Sequence, residues 1–471
     1  MADGGAADPS APGDASSTAP EDPSRVLLSR GFIVLLALAA VVGVVVSVAA
    51  WCFVELVYQV QRELYHHLPA ALGYHNGPPR WWSLPILGIA GLITAFAIVR
   101  LPGEGGHVPA EGLKVGGHPT LPIELPGILL AGLASIGLGL VIGPEAPLIA
   151  LGGGLAVAII KLARKEAPPQ LLLVAAAAGS FAALSFVFTS PIIAAVILIE
   201  ATGLGRARLP VILLPGLVGA AIGTLVSIGF GSFTGLSTSA YAMGPLPLPA
   251  FHNPTAGNFA WSVALAAAIA GVAHLIRAGG SWTQHVVKAR PFVLLPLAGL
   301  IVSGLAIVFA QTSGKGVDEV LFSGQDALPG LVSGAGTWSL SALALLIVLK
   351  GLGYSISLGS FRGGPTFPAI FLGAAGGIMA SHLAGFPITA AVAVGMGAAT
   401  VAILRLPLAA IVIASLLTSK SGLGAEPLTI IGVVVSYLVT LWLAAPRTAE
   451  ASDATTVTEG TATVPATAAA K

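Results

Sequence analysis

Apolar segments follow one another along this chain, and Gly/Pro clusters cut most of them too short to cross a bilayer. A full helical span takes about 20 apolar residues. The first segment, 31–57, meets that length, and an amphipathic continuation follows with Glu55, Arg62, Glu63, His66 and His67. Later segments, such as 84–99, 148–162, 192–199, 369–384 and 408–417, fall short of it. Water cannot solvate such a chain: 55% of its residues are hydrophobic and only 9% charged, against about 25% charged in a soluble domain. The 60 glycines and 34 prolines fit helices that pack closely or stop inside the membrane. The expected fold is an all-α, multi-pass integral membrane protein of many short, tilted and broken helices, with the lipid bilayer as its solvent.

Residues 1–24 are small, polar and acidic, which reads as a disordered tail and not a signal peptide. The Ala/Thr-rich residues 446–471 read the same way. Between the tails, the polar stretch 232–258 divides the core, giving one membrane repeat over 25–240 and a second over 241–445. Basic clusters at Lys161, Arg164 and Lys165, at Arg206 and Arg208, and at Lys288 and Arg290 mark membrane interfaces. A net charge of +1 gives no electrostatic case for nucleic acid. Cys52 is the single cysteine, which excludes an internal disulfide framework and a cysteine zinc cluster. No metal site or cofactor is expected. The chain has no G-x-S-x-G, H-E-x-x-H or Walker loop, so hydrolase, zinc protease and ATP-driven pump lack support. The remote alternative from another class is an intramembrane enzyme with His107 and Glu145 as acid and base.

An internal repeat decides the architecture. Gly143-Pro144-Glu145-Ala146-Pro147 precedes an apolar run holding Leu151-Gly152, and Gly364-Pro365-Thr366-Phe367-Pro368 precedes one holding Leu372-Gly373. The offset is 364 − 143 = 221, and 373 − 152 = 221. Downstream, Gly179, Ala182, Ala183, Pro191 and Ala194 return as Gly395, Ala398, Ala399, Pro407 and Ala410, at 395 − 179 = 216. Halves broken by Gly and Pro at matching places point to a substrate site between the repeats. A helix that begins after Gly-Pro has free N–H groups and a partial positive charge at its start. Two such starts facing each other hold an anion without a full positive charge, and a field that weak lets the ion leave again.

These motifs resemble the CLC family of chloride channels and proton/chloride antiporters. Gly143-Pro144-Glu145-Ala146-Pro147 resembles its GREGP signature, and Gly363-Gly364-Pro365-Thr366-Phe367-Pro368 its GGxFxP signature. Gly105-Gly106-His107-Val108-Pro109 sits where GSGIP is expected. The resemblance covers residues 31–445. It implies two inverted-topology repeats and a homodimer with one anion pathway per subunit, in a bacterial cell membrane. Chloride or a similar small anion is the implied substrate, with protons as a second one if transport is coupled. The implied anion-binding positions are Gly106, His107, Val108, Gly143, Ala146, Gly364, Thr366 and Phe367, and Glu145 matches the gating carboxylate. An ionisable group in a broken, apolar segment is a functional candidate in its own right; the plainer reading of Glu145 is a helix cap.

The chain also departs from the pattern. In Leu198-Ile199-Glu200-Ala201-Thr202 the proton-relay position of the coupled antiporters is Ala201. Glu200 matches the neighbouring glutamate, turned by about 100° along a helix; it is either a substitute relay or a structural carboxylate. No tyrosine follows Tyr437, so the inner gate is missing or built from something else. Pro365 has no N–H to offer. His107 is either a hydrogen-bond donor that becomes cationic at lower pH, or a pore-mouth histidine bonded to a nearby carbonyl. Arg405 reads as a helix-end contact; Lys350 and Arg362 either add positive potential near the pore entrance or, as the simpler account, snorkel to an interface. Passive anion conduction gated by Glu145 is the expected function. Proton-coupled antiport through a non-standard relay is the alternative.

Overall fold

The computed structural model describes residues 27–113, 119–202, 209–234 and 243–445. Both expected tails, together with Arg206 and Arg208, lie outside them. The helices that matter below form two series. The first holds α1 (Arg30–Arg62), α2 (Ser83–Arg100), α3 (Leu125–Gly132), α4 (Glu145–Ala163), α5 (Pro169–Phe188), α6 (Pro191–Thr202) and α7 (Leu209–Thr234). The second holds α8 (Ala256–Lys288), α9 (Pro291–Ser313), α10 (Leu340–Ser360), α11 (Thr366–Ala380), α12 (Ile388–Leu404), α13 (Pro407–Leu417) and α14 (Glu426–Ala444). Among the described residues nine helices are long and apolar enough to cross a membrane. Other apolar helices, including α6, α11, α12 and α13, are 10–17 residues long and fall below that length.

Two spans run longer than hydropathy alone suggests. A π-helical turn at Glu63–His67 carries α1 on to Ala71. Two of the polar residues along it are bonded to the fold: Gln61 Nε2 donates to the Ile136 carbonyl at 2.9 Å and Tyr65 Oη to that of Leu138 at 2.8 Å. In α8, which is 33 residues long, Arg277 likewise donates to the Ala402 carbonyl at 3.2 Å. Hydrogen bonds inside the fold let the helices continue through residues that lipid would reject.

The repeat is visible in how helices cross. α4 packs on α5 and α11 packs on α12, each pair meeting through two glycines. A Cβ on Gly152 would lie 2.4 Å from the Gly179 carbonyl oxygen, and one on Gly373 would lie 2.3 Å from that of Gly395. α5 and α12 both end on a left-handed residue, Thr189 at φ 51° and Arg405 at φ 59°, before Pro191 and Pro407 start the next helices. The helix-end reading of Arg405 agrees with that geometry. Because the glycine crossings are backbone on backbone, Gly373→Ala is expected to cost about 3 kcal/mol by forcing the helices apart. Gly304→Ala in α9, where a Cβ meets open space, is expected to be neutral or to stabilise by up to about 1 kcal/mol. Unfolding of the two variants in detergent checks the contrast.

Candidate anion site

The site forms where the two Gly-Pro loops meet. After α3 a π-helical turn, Leu133–Gly137, leads into an extended stretch in which Leu140, Val141 and Ile142 are fully buried. Gly143 N–H then donates to the Gly364 carbonyl at 2.8 Å, and Gly364 N–H to the Gly143 carbonyl at 2.6 Å. Reciprocal bonds between residues 221 apart are what a twofold relation between the halves requires. Each chain then turns through a proline, Pro144 or Pro365, into α4 or α11.

Glu145, the first residue of α4, has no exposed surface. Its Oε1 accepts the N–H groups of Thr366 and Phe367, both at 3.1 Å, which are the first two donors of α11. Its Oε2 has no hydrogen-bond partner among the described residues. A Cβ on Gly364 would lie 1.7 Å from Oε2, and one on Gly143 2.2 Å, so these two positions must lack a side chain for the carboxylate to sit there. The Phe367 ring stacks on Phe188 with centroids 5.2 Å apart and walls the pocket. The carboxylate thus rests where a helix N-terminus would receive a free anion.

Two cavities approach this carboxylate from opposite ends of α2. One, of about 530 Å³, is lined by Gly106, His107, Ala146, Arg362 and Gly363, and its Gly103–His107 wall follows α2. The other, of about 720 Å³, is lined by Arg62, His66, His67, Pro144, Asp318 and Asp326, and its Gly77 and Pro78 precede α2. The 18 residues of α2 span about 27 Å. Ala146 and Pro144, on either side of Glu145 in sequence, therefore belong to cavities from different faces. Partial removal from water in the second cavity pushes the Asp326 carboxyl up to about 7, although solvent still reaches it. Burial and then the neighbouring Asp318 raise Glu319 as well.

The expected residues divide by place. Thr366 and Phe367 hold Glu145, while the amides of Gly143 and Gly364 are taken up by each other. Gly106, His107 and Ala146 line the smaller cavity. Gly106 N–H donates to the Gly103 carbonyl at 2.7 Å, and His107 Nε2 is bonded to the Gly112 carbonyl. Val108 starts the short turn Pro109–Glu111 and does not line the cavity. Glu200 caps α13: its two oxygens accept from Leu408 N at 2.9 Å and Ala409 N at 2.8 Å.

Snorkelling is corrected for two cations. Lys350 is fully buried because backbone carbonyls of residues 319–322 solvate its ammonium. Arg362 is 8% exposed; its Nε donates to the Glu104 carbonyl at 3.3 Å, and its side chain faces the smaller cavity. Sequence reasoning passed over Tyr354 and Ser357. Tyr354 Oη donates to the Pro365 carbonyl, and Ser357 Oγ accepts from Val141 N at 3.3 Å. With Lys350 they form a polar stripe at spacings of four and three on one side of apolar α10, a signal that helical periodicity carries. Among the described residues no group of three or more His, Cys, Asp or Glu is placed to hold a metal ion.

Comparison with known proteins agrees with this geometry. Residues 90–441 match the family described as voltage gated chloride channel. The chain is 28% identical over 352 residues to the Escherichia fergusonii protein called "Putative ion-transport protein YfeO", covering 74% of this chain and 79% of that one. The Salmonella paratyphi A protein of the same name is also 28% identical, over 358 residues, with 74% and 81% covered. In fold the chain is similar to a slow cyanobacterial Cl−/H+ antiporter, at TM-score 0.69 and 19% identity, covering 87% of this chain and 94% of that one. It is similar too to a CLC-type fluoride/proton antiporter, at TM-score 0.65 and 18% identity, covering 87% and 95%. The chain is an integral, multi-pass membrane protein of the voltage-gated chloride channel (CLC) family, built from two inverted-topology repeats.

Proposed function

We propose that this protein lets small monovalent anions, chloride first among them, pass down their gradient, with Glu145 as the gate. The observation that carries the reading is the Glu145 carboxylate on the Thr366 and Phe367 amides, between cavities that reach Pro144 from one face and Ala146 from the other. A carboxylate there blocks the path by occupying the anion's own donors. Protonation removes the charge those donors attract, and the side chain leaves. Assembly as a homodimer in a bacterial membrane, with one path per subunit, belongs to the same reading.

Proton-coupled antiport is the second reading, because two of the similar folds belong to proton-coupled antiporters. It needs a second titratable group to carry the proton onward from Glu145. Ala201 has none, and both oxygens of Glu200 are engaged at the start of α13, which favours the uncoupled path. Purified protein in chloride-loaded liposomes with a pH dye separates the two. Uncoupled conduction gives chloride efflux that needs an ionophore for charge balance and moves no protons uphill. Chloride-driven proton uptake against its gradient establishes antiport instead.

The larger cavity adds a pH effect of its own. Above about pH 7 Asp326 is charged and, with Asp318 among the residues lining the same cavity, repels anions; Arg62, His66 and His67 line it too. Asp326→Asn is expected to raise anion flux at pH 8 about twofold at low salt and to change little at pH 6. Flux measured at both pH values and again in high salt, where the gain shrinks, checks it.

A further inference from the structure

We propose that Tyr354 is a positioning residue that sets the strength of the anion site through the Pro365–Thr366 peptide. The proposal rests on the reading of the α11 start as the anion's resting place. The Pro365 carbonyl and the Thr366 N–H belong to one peptide unit, and in a trans peptide they point in opposite directions; no described peptide bond is cis. Tyr354 Oη donates to that carbonyl, and Thr366 N–H donates to Glu145 Oε1 at 3.1 Å. The result is one chain, from phenol O–H through the amide to the bound negative charge. A donor on the carbonyl polarises the amide and strengthens its N–H as a donor, by roughly 10–30% per bond. It also fixes the peptide plane, so that the N–H keeps its aim when the carboxylate leaves and an anion replaces it.

The chain has a specific need for such support. Pro365 contributes no N–H, so recognition falls on the amides of Thr366 and Phe367. Tyr354 has no exposed surface and sits on α10, which also steadies the other loop through Ser357 and Val141 N. The phenol is held away from the ion and touches it only through the peptide.

Tyr354→Phe keeps the ring and removes the hydroxyl. The expected result is a rise of about fivefold in the chloride concentration that half-saturates flux in liposomes, with no fall in maximal rate. The rise is expected to be larger in the Glu145→Gln background, where no carboxylate competes for the same amide. A second substitution guards against a folding defect: 3-fluorotyrosine at 354 has a more acidic hydroxyl of nearly the same shape, and is expected to lower the half-saturating concentration. Unchanged half-saturation in both backgrounds, or a lower maximal rate alone, overturns the proposal. Failure of the anion-site reading looks different: the wild-type protein then carries no saturable chloride flux, and Glu145→Gln changes nothing.

Discussion

Glu145→Gln is expected to raise chloride flux at neutral pH about tenfold and to remove most of its dependence on pH. The size follows from what holds the carboxylate. Two amides donate to Oε1, and a hydrogen bond to an ionised group contributes about 1.5–3 kcal/mol against about 0.5–1.5 for a neutral one. Loss of that difference frees the donors for a chloride ion, and about 1.4 kcal/mol is a factor of ten. The sign of the pH effect is fixed by charge. In the wild type, acid protonates Glu145, the gate releases and flux rises as pH falls. The glutamine side chain of the variant is neutral throughout, so its flux stays high and loses the gate's share of the pH dependence. The part of any residual change that is lost in the double variant with Asp326→Asn belongs to Asp326. Unaltered flux and pH profile in Glu145→Gln would sink the gate.

The Glu145 site was legible because its logic repeats. An offset of 221 paired Gly143 with Gly364 before any fold was known, and the fold bonds those two residues to each other. Gly152 with Gly373 and Gly179 with Gly395 were legible as matching glycines, and the fold brings Gly152 onto Gly179 and Gly373 onto Gly395 as the backbone contacts that set two equivalent helix crossings. What stayed hidden has a common cause. The partners of Lys350, Tyr354, Arg362 and Glu200 are backbone carbonyls and amides, which every residue owns and no sequence pattern displays. A buried cation with a backbone cage and a snorkelling cation read alike in sequence. The cavities were hidden for a related reason, since they arise where segments distant in the chain fail to fill space.

Lys350→Met is expected to destabilise the protein by about 3 kcal/mol, because it leaves buried backbone carbonyls without a donor. The Lys350 Nζ lies 3.0 Å from the Glu319 carbonyl oxygen, 3.2 Å from that of Val320, 3.0 Å from that of Leu321 and 3.3 Å from that of Phe322. The Phe371 ring centroid is 4.5 Å away, so the ammonium is solvated by four oxygens and a π face. Methionine matches the length of the stem but leaves these carbonyls facing apolar neighbours, and Val320 and Leu321 are fully buried. Each unpaired buried carbonyl costs about 1–3 kcal/mol. Arginine does not rescue, because a planar fork cannot converge on four oxygens that surround a point. Lys315→Met is the matched control: its ammonium lies 3.8 Å from the Trp338 ring centroid, a contact worth about 0.5–1 kcal/mol. Denaturant unfolding in detergent compares the three variants. Lys350→Met within about 1 kcal/mol of wild type would mean that water replaces the ammonium in its cage. A large loss would have a functional echo, since Phe322 lines the larger cavity and its N–H donates to the Gly139 carbonyl at 2.9 Å. The loop that Lys350 holds is thereby tied to the stretch leading to Glu145, and loosening it is expected to disturb the gate as well as the fold.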